Sequence, residues 1–315
     1  MKIKKVAIQM DSIEKIDLNF DTSFLLAKEA QDRGFDVFYY NPDYLEYNHE
    51  SIYAAGFFIN LFDHKDIYFQ YLNKKKQFLN LAEFDVVLIR QDPPFDINYI
   101  TSTYLLEQLP ETTVVLNNPM SIRNAAEKIY PIEFKKYMPP TLITQKIESI
   151  KKFLLEQKDI VTKPLYGNGG EGIYRSRSND SFLKGIDESK DTLNHPIIAQ
   201  KYIPEIVEGD RRIILINGEY VGSVARIPKK NNLKANFHAG GYPKKTDLVH
   251  RDKEICEALR NDLKAKNLFL VGIDIIGNYL TEINVTSPTG LKQINELNKI
   301  NLEKIYWDKL ESKFF

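Results

Sequence analysis

The chain has 315 residues, enough for two or three domains with sizeable cores. Lys plus Arg and Asp plus Glu both total 43, so the net charge is zero; no long-range field favours nucleic acid or an anionic membrane, and a small molecule is the expected partner. A single cysteine, Cys256, excludes a disulfide framework and a cysteine-rich zinc site and fits a reducing compartment. The histidines His49, His64, His195, His238 and His250 show no metal-ligand spacing. MKIKKVAIQM has no long apolar core or small-residue cleavage site, and no run of roughly 18 apolar residues occurs, so a soluble, cytoplasmic protein is expected.

Short β-branched or aromatic runs at 4–10, 35–40, 84–90 and 112–116 alternate with helical patterns such as Phe24, Leu25, Ala27, Lys28 and Ala30. That alternation predicts a doubly wound, parallel α/β sheet. The polar, aromatic stretch from Asp63 to Gln77 reads as a partly exposed helix. Pro119 breaks NNPMSIR, Ser121 is the expected N-cap of a helix through SIRNAAEKIYPIEF, and a domain boundary is placed after residue 118. Residues 119–204 then read as a small α+β unit: TLIT, a helix at 147–157, a strand at 159–165, the glycine run YGNGGEG, the strand IYRS, a second helix, and PIIAQKYI at 196–203. From Asp210 the pattern turns antiparallel, with RRIILI and YVGSVARIP joined by the hairpin signal Asn217-Gly218. A helix at 251–266 holds Cys256 as buried filler, and an acidic hairpin and a C-terminal helix follow.

That hairpin, VGIDIIGNYLTEINVTSPTG, carries the strongest chemical signal. Asp274, Glu282 and Asn284 sit in an apolar strand pair, where an unpartnered carboxylate costs several kcal/mol, roughly, so carboxylates there are usually paired, hydrogen-bonded or metal-bound, and a hard divalent cation is the simplest answer. Mg²⁺ takes oxygen ligands, binds one or two carboxylates and leaves positions for substrate phosphates. Glu282 and Asn284, two apart, share a face; Asp274 joins them only if the turn has an odd number of residues, such as Gly277 to Tyr279, whereas a two-residue Gly-Asn turn would set Asp274 opposite Thr281.

Gly167, Gly169 and Gly172 satisfy GxGxxG, with Gly170 between them. A strand rather than a helix follows, which disfavours a dinucleotide fold and favours a hairpin whose backbone N–H groups meet a triphosphate. Lys163 directly precedes this loop, Lys128 is a candidate second cation, and Arg212 and Arg226 complete a cationic set around the acidic face, a combination suited to phosphoryl transfer. No GxxxxGK[ST], HRD, DFG, GxSxG or HExxH occurs, so no side-chain nucleophile is visible and, if a bond is made, ATP must activate the substrate.

The stretches IRQDPPFD, NNPMSIRNAAEKIY, KPLYGNGGEGI, AQKYIPEIVEGDRRIILINGEYVGSVARIP, NFHAGG and FLVGIDIIGNYLTEINVTSPTG resemble the bacterial glutathione synthetases, a family of ATP-grasp enzymes, over almost the whole chain. The resemblance implies a preATP-grasp N-terminal domain (1–118), a lid subdomain (119–204) and a C-terminal catalytic subdomain (205–315). It implies ligation of γ-glutamylcysteine and glycine with ATP through an acyl phosphate, in a homodimer or homotetramer. Lys128, Lys163 and the loop glycines would hold phosphates, Gln200, Lys201, Tyr202 and Ile203 the adenine, and Asp210 the ribose. Asp274, Glu282 and Asn284 would hold two Mg²⁺ or Mn²⁺. Arg212, Arg226, Asn236, Gly240 and Gly241 would stabilise the acyl phosphate and the transition state. Arg90, Asp92, Pro93 and Pro94 with Ser287, Pro288 and Thr289 would line the peptide site. In the loop KKNNLKANFHAGG, Lys234-Ala235 stands where the family often has Arg-Gly. Residues 229–241 are expected to form a lid. Another carboxylate–amine ligase of this fold, or an ATP-binding module without turnover, shares many of these features; the intact Asp274, Glu282, Asn284 set argues against the second.

Overall fold

The computed structural model describes residues 2–64, 66–167, 171–181, 183–229, 235–237 and 240–315. Its N-terminal sheet has the central parallel order Asp36–Tyr40, Lys5–Gln9, Val86–Ile89, Val114–Leu116, with side chains buried on both faces as the apolar runs require. The helix Thr22–Asp32 starts at Asp21, whose carboxylate caps the Phe24 N–H, and its apolar face of Phe24, Leu26, Ala27 and Ala30 packs on that sheet. The C-terminal helix Leu302–Phe314 closes the same layer. Trp307 is fully buried there, donating from Nε1 to the Leu26 carbonyl at 2.9 Å and meeting Phe35 edge-on at 5.5 Å. Arg33 ties the two helices together through Asp308 and Glu311.

Four local expectations are corrected. The described residues of 63–77 are not helical: Phe69–Tyr71 and Gln77–Asn80 are short strands on the 11-residue strand Ser51–Leu61, whose own neighbours are Leu45–Asn48 and Asp36–Tyr40. Aromatic pairing at period two, such as Phe57 on Tyr71 at 4.1 Å, outweighs the stretch's polarity. At 119 the helix is short, Pro119–Asn124, and its N-cap is Asn118, which accepts from Ser121 N; a 3-10 segment follows at Tyr130–Tyr137. Between Tyr174–Arg177 and Thr192–Lys201 the described residues hold turns and no helix.

The second sheet is antiparallel, in the order Tyr174–Arg177, Asp159–Pro164, Thr192–Lys201, Thr141–Lys146. The helix Ile147–Gln157 seats Ile147, Ile150 and Leu154 on Ile160 and Ala199. The third sheet, also antiparallel, runs Tyr242–Lys245, Glu219–Ile227, Asp210–Ile216, Leu270–Ile276, Tyr279–Asn284. The helix His250–Ala265 packs Ile255, Leu259 and Leu263 into the core that holds Ile213, Ile273 and Ile283. Among the described residues, no helix is long and apolar enough to cross a membrane.

The fourth correction concerns the acidic hairpin. Its turn is the two-residue Gly277-Asn278, with Ile276 opposite Tyr279 and Ile275 opposite Leu280. The register then shifts by one, so that Asp274 nevertheless stands opposite Glu282. Thr281 is the extra residue of a β-bulge, its hydroxyl donating to the Asp274 carbonyl at 3.0 Å. The bulge lets Leu280 and Ile283, three apart, both enter the core while Glu282 faces the opposite side.

Candidate active site

A cavity of about 460 Å³ opens where the three sheets meet. Its floor is the third sheet, where Arg212 is in register with Asp274 and Asp274 with Glu282, so three adjacent strands present a cation, an anion and an anion in a row. Arg212 holds Asp274 through Nε at 2.5 Å and Nη2 at 2.9 Å, while Nη1 donates to the Thr289 carbonyl at 3.1 Å. Arg226 reaches Asp274 from the other side at 2.9 Å and is doubly bonded to Asp210. Burial alone would raise the Asp274 carboxyl, but Arg212 and Arg226 outweigh it and hold it far below the usual carboxylate range. Asn284 donates to Asp274 and to the Gly272 carbonyl, both at 3.2 Å. Gly272 leaves the space for this packing, since a Cβ there would lie 3.0 Å from Pro288 and 3.2 Å from Arg212.

The second sheet contributes Lys163, whose Nζ stands 3.4 Å from Glu282. Burial works against charge on Glu282, and Lys163 and then Lys128 reverse that, lowering its pKa. Lys128 donates to the Gly167 carbonyl and is itself buried. Gly172 lies at φ +66° against Pro164, a left-handed backbone that favours glycine. Gly169 and Gly170 fall outside the described residues.

On the third side, Ser287 donates to Asp92 at 2.5 Å, and Asp92 N donates to Asp11 at 2.7 Å. Buried Arg90 donates to Ser23 and to the Pro288 carbonyl, so it fixes the wall behind Pro288. Asn117 bridges the first and third sheets, bonding Leu270 and Val285 at 2.7–2.9 Å.

Of the residues expected from sequence, Asp92, Pro93, Lys128, Lys163, Gly167, Asp210, Arg212, Arg226, Asn236, Asp274, Glu282, Asn284, Ser287, Pro288 and Thr289 line the one cavity. Arg90, Pro94, Gly172, Gln200, Lys201, Tyr202, Ile203, Gly240 and Gly241 do not. Gln200 is buried on Thr141 at 3.0 Å, and Tyr202 lies under the Arg175 guanidinium at 3.4 Å. Gly241 is packed so closely that a Cβ would meet the Ala235 carbonyl oxygen at 2.0 Å. Phe237, in the same segment, stacks on Phe20 at 5.6 Å; Lys234 and the remainder of 230–234 lie outside the described residues. Sequence reasoning missed Glu127, Ile206, Thr281, Thr286 and Ile276, which also line the cavity. Apolar residues two or three positions from a polar motif give no periodic signal, and Glu127 differed from any surface glutamate only in adjoining Lys128.

Two antiparallel sheets flanking a cavity lined by lysines, arginines and carboxylates, behind a doubly wound N-terminal sheet, define an ATP-grasp ligase. Solved structures with this arrangement include the macrocyclase MdnC from Microcystis aeruginosa bound with precursor peptide MdnA (TM-score 0.67, 16% identity, 98% of this chain and 100% of that one) and D-cycloserine synthetase DcsG (TM-score 0.66, 12% identity, 99% and 100%). At such identities they establish the fold alone. Residues 4–123 match the family described as prokaryotic glutathione synthetase, N-terminal domain, and residues 127–299 its ATP-grasp domain. Glutathione synthetase of Agrobacterium fabrum is 42% identical over 313 residues, covering 99% of this chain and 98% of that protein; that of Vibrio parahaemolyticus is 37% identical over 314, covering 98% of each. The chain belongs to the prokaryotic glutathione synthetase family.

Proposed function

We propose that the chain joins the cysteinyl carboxylate of γ-glutamylcysteine to the amine of glycine, converting ATP to ADP and phosphate. The observation that carries this reading is the placement of Arg212 and Arg226 around Asp274 on the wall of a cavity that Lys128 and Lys163 also line. Phosphoryl transfer is chiefly a matter of positioning and neutralising charge, and this set supplies both. The carboxylate oxygen attacks the γ-phosphorus, the bond to ADP breaks, and an acyl phosphate results. The amine then attacks the acyl carbon and phosphate departs with the bonding pair. Lys128 and Lys163 face the phosphates of ATP, and Arg212 and Arg226 the transferred phosphoryl group. Asp92, Ser287 and Thr289 hold the peptide. Residues 119–204 act as the lid subdomain between domains 1–118 and 205–315.

The donor chemistry fits a hard divalent cation. Glu282 lines the cavity with its side chain 24% exposed, and Asn284 spends its N–H₂ on Asp274 and Gly272, leaving its carbonyl oxygen for a ligand. Asp274, engaged by both arginines, would share its remaining lone pairs. Mg²⁺ or Mn²⁺ bound there would neutralise phosphate charge. Ile206, Ala235 and Ile276, backed by Tyr202 and Val161 of the same apolar cluster, are the part of the cavity suited to a purine.

The test is ADP release with γ-glutamylcysteine and glycine each omitted in turn. ADP formation that requires the dipeptide, with amide product requiring both, is the expected result. ADP formation indifferent to the dipeptide would refute the substrate assignment.

A further inference from the structure

Most carboxylates lining the cavity are already spoken for. Asp210 and Asp274 are paired with arginines, Glu282 with Lys163, and Asp92 accepts from Ser287; Glu171 is exposed on the glycine loop. Glu127 differs. Among the described residues it forms no ion pair; its Oε1 accepts from Thr286 Oγ1 at 2.8 Å and its backbone carbonyl from Ile283 N at 3.0 Å, which fixes it to the strand carrying Glu282. The charged and titratable groups facing it are Glu282 and Arg212 from the third sheet, Lys128 beside it in the chain, and Tyr99 from the helix Ile97–Leu106, whose hydroxyl is buried with no hydrogen-bond partner among the described residues.

A carboxylate without its own cation is poorly suited to phosphate, which it repels, and well suited to an ammonium group. One substrate of the proposed reaction brings an ammonium nitrogen to the reacting carbon itself. The ammonium of the γ-glutamyl residue is a full residue beyond the reacting carboxylate, roughly 7 Å or more along an extended chain, and away from the phosphate-facing cations beside Glu127. Given the ligase reading above, on which this inference rests, we propose that Glu127 docks the ammonium end of the incoming amino acid and accepts the proton that must leave before the nitrogen can attack.

The N–H bond breaks and an O–H bond forms on Glu127. The freed lone pair makes the C–N bond, the C–O bond to phosphate breaks, and phosphate leaves with that electron pair. The second proton of the nitrogen goes to the departing phosphate, and Glu127 releases its own to solvent with the product. Burial raises the Glu127 carboxyl and Glu282 adds to the effect, while Thr286, Lys128 and Arg212 oppose it; the net upward direction makes it a better proton acceptor than a surface glutamate.

The experiment compares glycine with hydroxylamine, a weakly basic amine largely uncharged at neutral pH, in wild type, Glu127→Gln and Glu127→Asp, with ATP and γ-glutamylcysteine present. Glu127→Gln should lower glycine ligation by about 100-fold, while hydroxamate from hydroxylamine falls far less, so that the ratio of hydroxamate to glutathione rises at least about tenfold. Glu127→Asp, which restores a carboxylate, should recover part of the glycine rate. Raising pH should selectively rescue glycine ligation in Glu127→Gln as free amine accumulates. A fall in both products with an unchanged ratio would overturn this role and leave the ligase reading intact. Wild type making neither hydroxamate nor glutathione would overturn both.

Discussion

Asp210 and Arg226 stand directly opposite each other on adjacent strands, and the Arg226 guanidinium donates two hydrogen bonds of 2.6 Å to the Asp210 carboxylate. Because Arg226 also reaches Asp274 at 2.9 Å, one buried guanidinium compensates two buried carboxylates. Removing it takes the ion-pair partner from Asp210 and leaves Asp274 with Arg212 alone. Arg226→Ala is expected to cost about 3–5 kcal/mol of stability. A denaturation cycle with Asp210→Ala and the double variant should show coupling on the order of 2 kcal/mol, and additive losses would show that the pair is energetically idle.

Glu282 is held by the bulge at Thr281 and faces both Lys163 and the cavity. Glu282→Gln preserves the shape and removes the charge. Turnover should be abolished while the denaturation midpoint moves little; a near-normal rate with unchanged Mg²⁺ dependence would sink the metal assignment.

Lys163 contributes a cation from the second sheet to the same point. Lys163→Met should weaken ATP binding by at least about tenfold and leave the affinity for γ-glutamylcysteine nearly unchanged, which calorimetry can read directly. The reverse pattern would move Lys163 to the peptide site.

Far from the cavity, Glu219 is gripped by Lys309 at 2.7 Å and Lys264 at 3.1 Å. Those hydrogen bonds hold its carboxyl at about 2, below the ordinary 4.5. A depressed carboxyl contributes stability that is fully present above the ordinary value and lost as pH falls through the folded one. With Glu219 43% exposed, the contribution is at most about 1 kcal/mol. The melting-temperature gap between wild type and Glu219→Gln should therefore be constant above about pH 5, narrow below it and vanish near pH 2; a gap independent of pH would exclude the ion pairs as its source.

Trp307 joins the C-terminal helix to the N-terminal layer through Leu26 and Phe35. Trp307→Ala should cost about 3–5 kcal/mol, the usual loss for a large buried aromatic. Trp307→Phe should cost less, though it still leaves the Leu26 carbonyl without its indole donor. Equal losses for the two would show that packing volume contributes little.

The sequence by itself determined the alternation of strands and helices, the Asn217-Gly218 hairpin, the placing of Asp274, Glu282 and Asn284 on one hairpin, and the family. These features are local: hydrophobic period, turn chemistry and motif spacing are written within a few residues of one another. Tertiary structure decided the rest. Parity along the hairpin predicted that a two-residue turn would break the site, and only lateral packing, which draws both Leu280 and Ile283 into the core, produces the bulge that restores Asp274 to Glu282. Nothing in the chain order shows that Arg212 and Arg226 of the expected cationic set bond Asp274 directly from two other strands, that Phe69 and Tyr71 complete a sheet edge rather than a helix, or that Glu127 reaches the cavity with no ion-pair partner among the described residues. Each depends on which strands lie side by side and in what register, and that is set by burying side chains far apart in sequence.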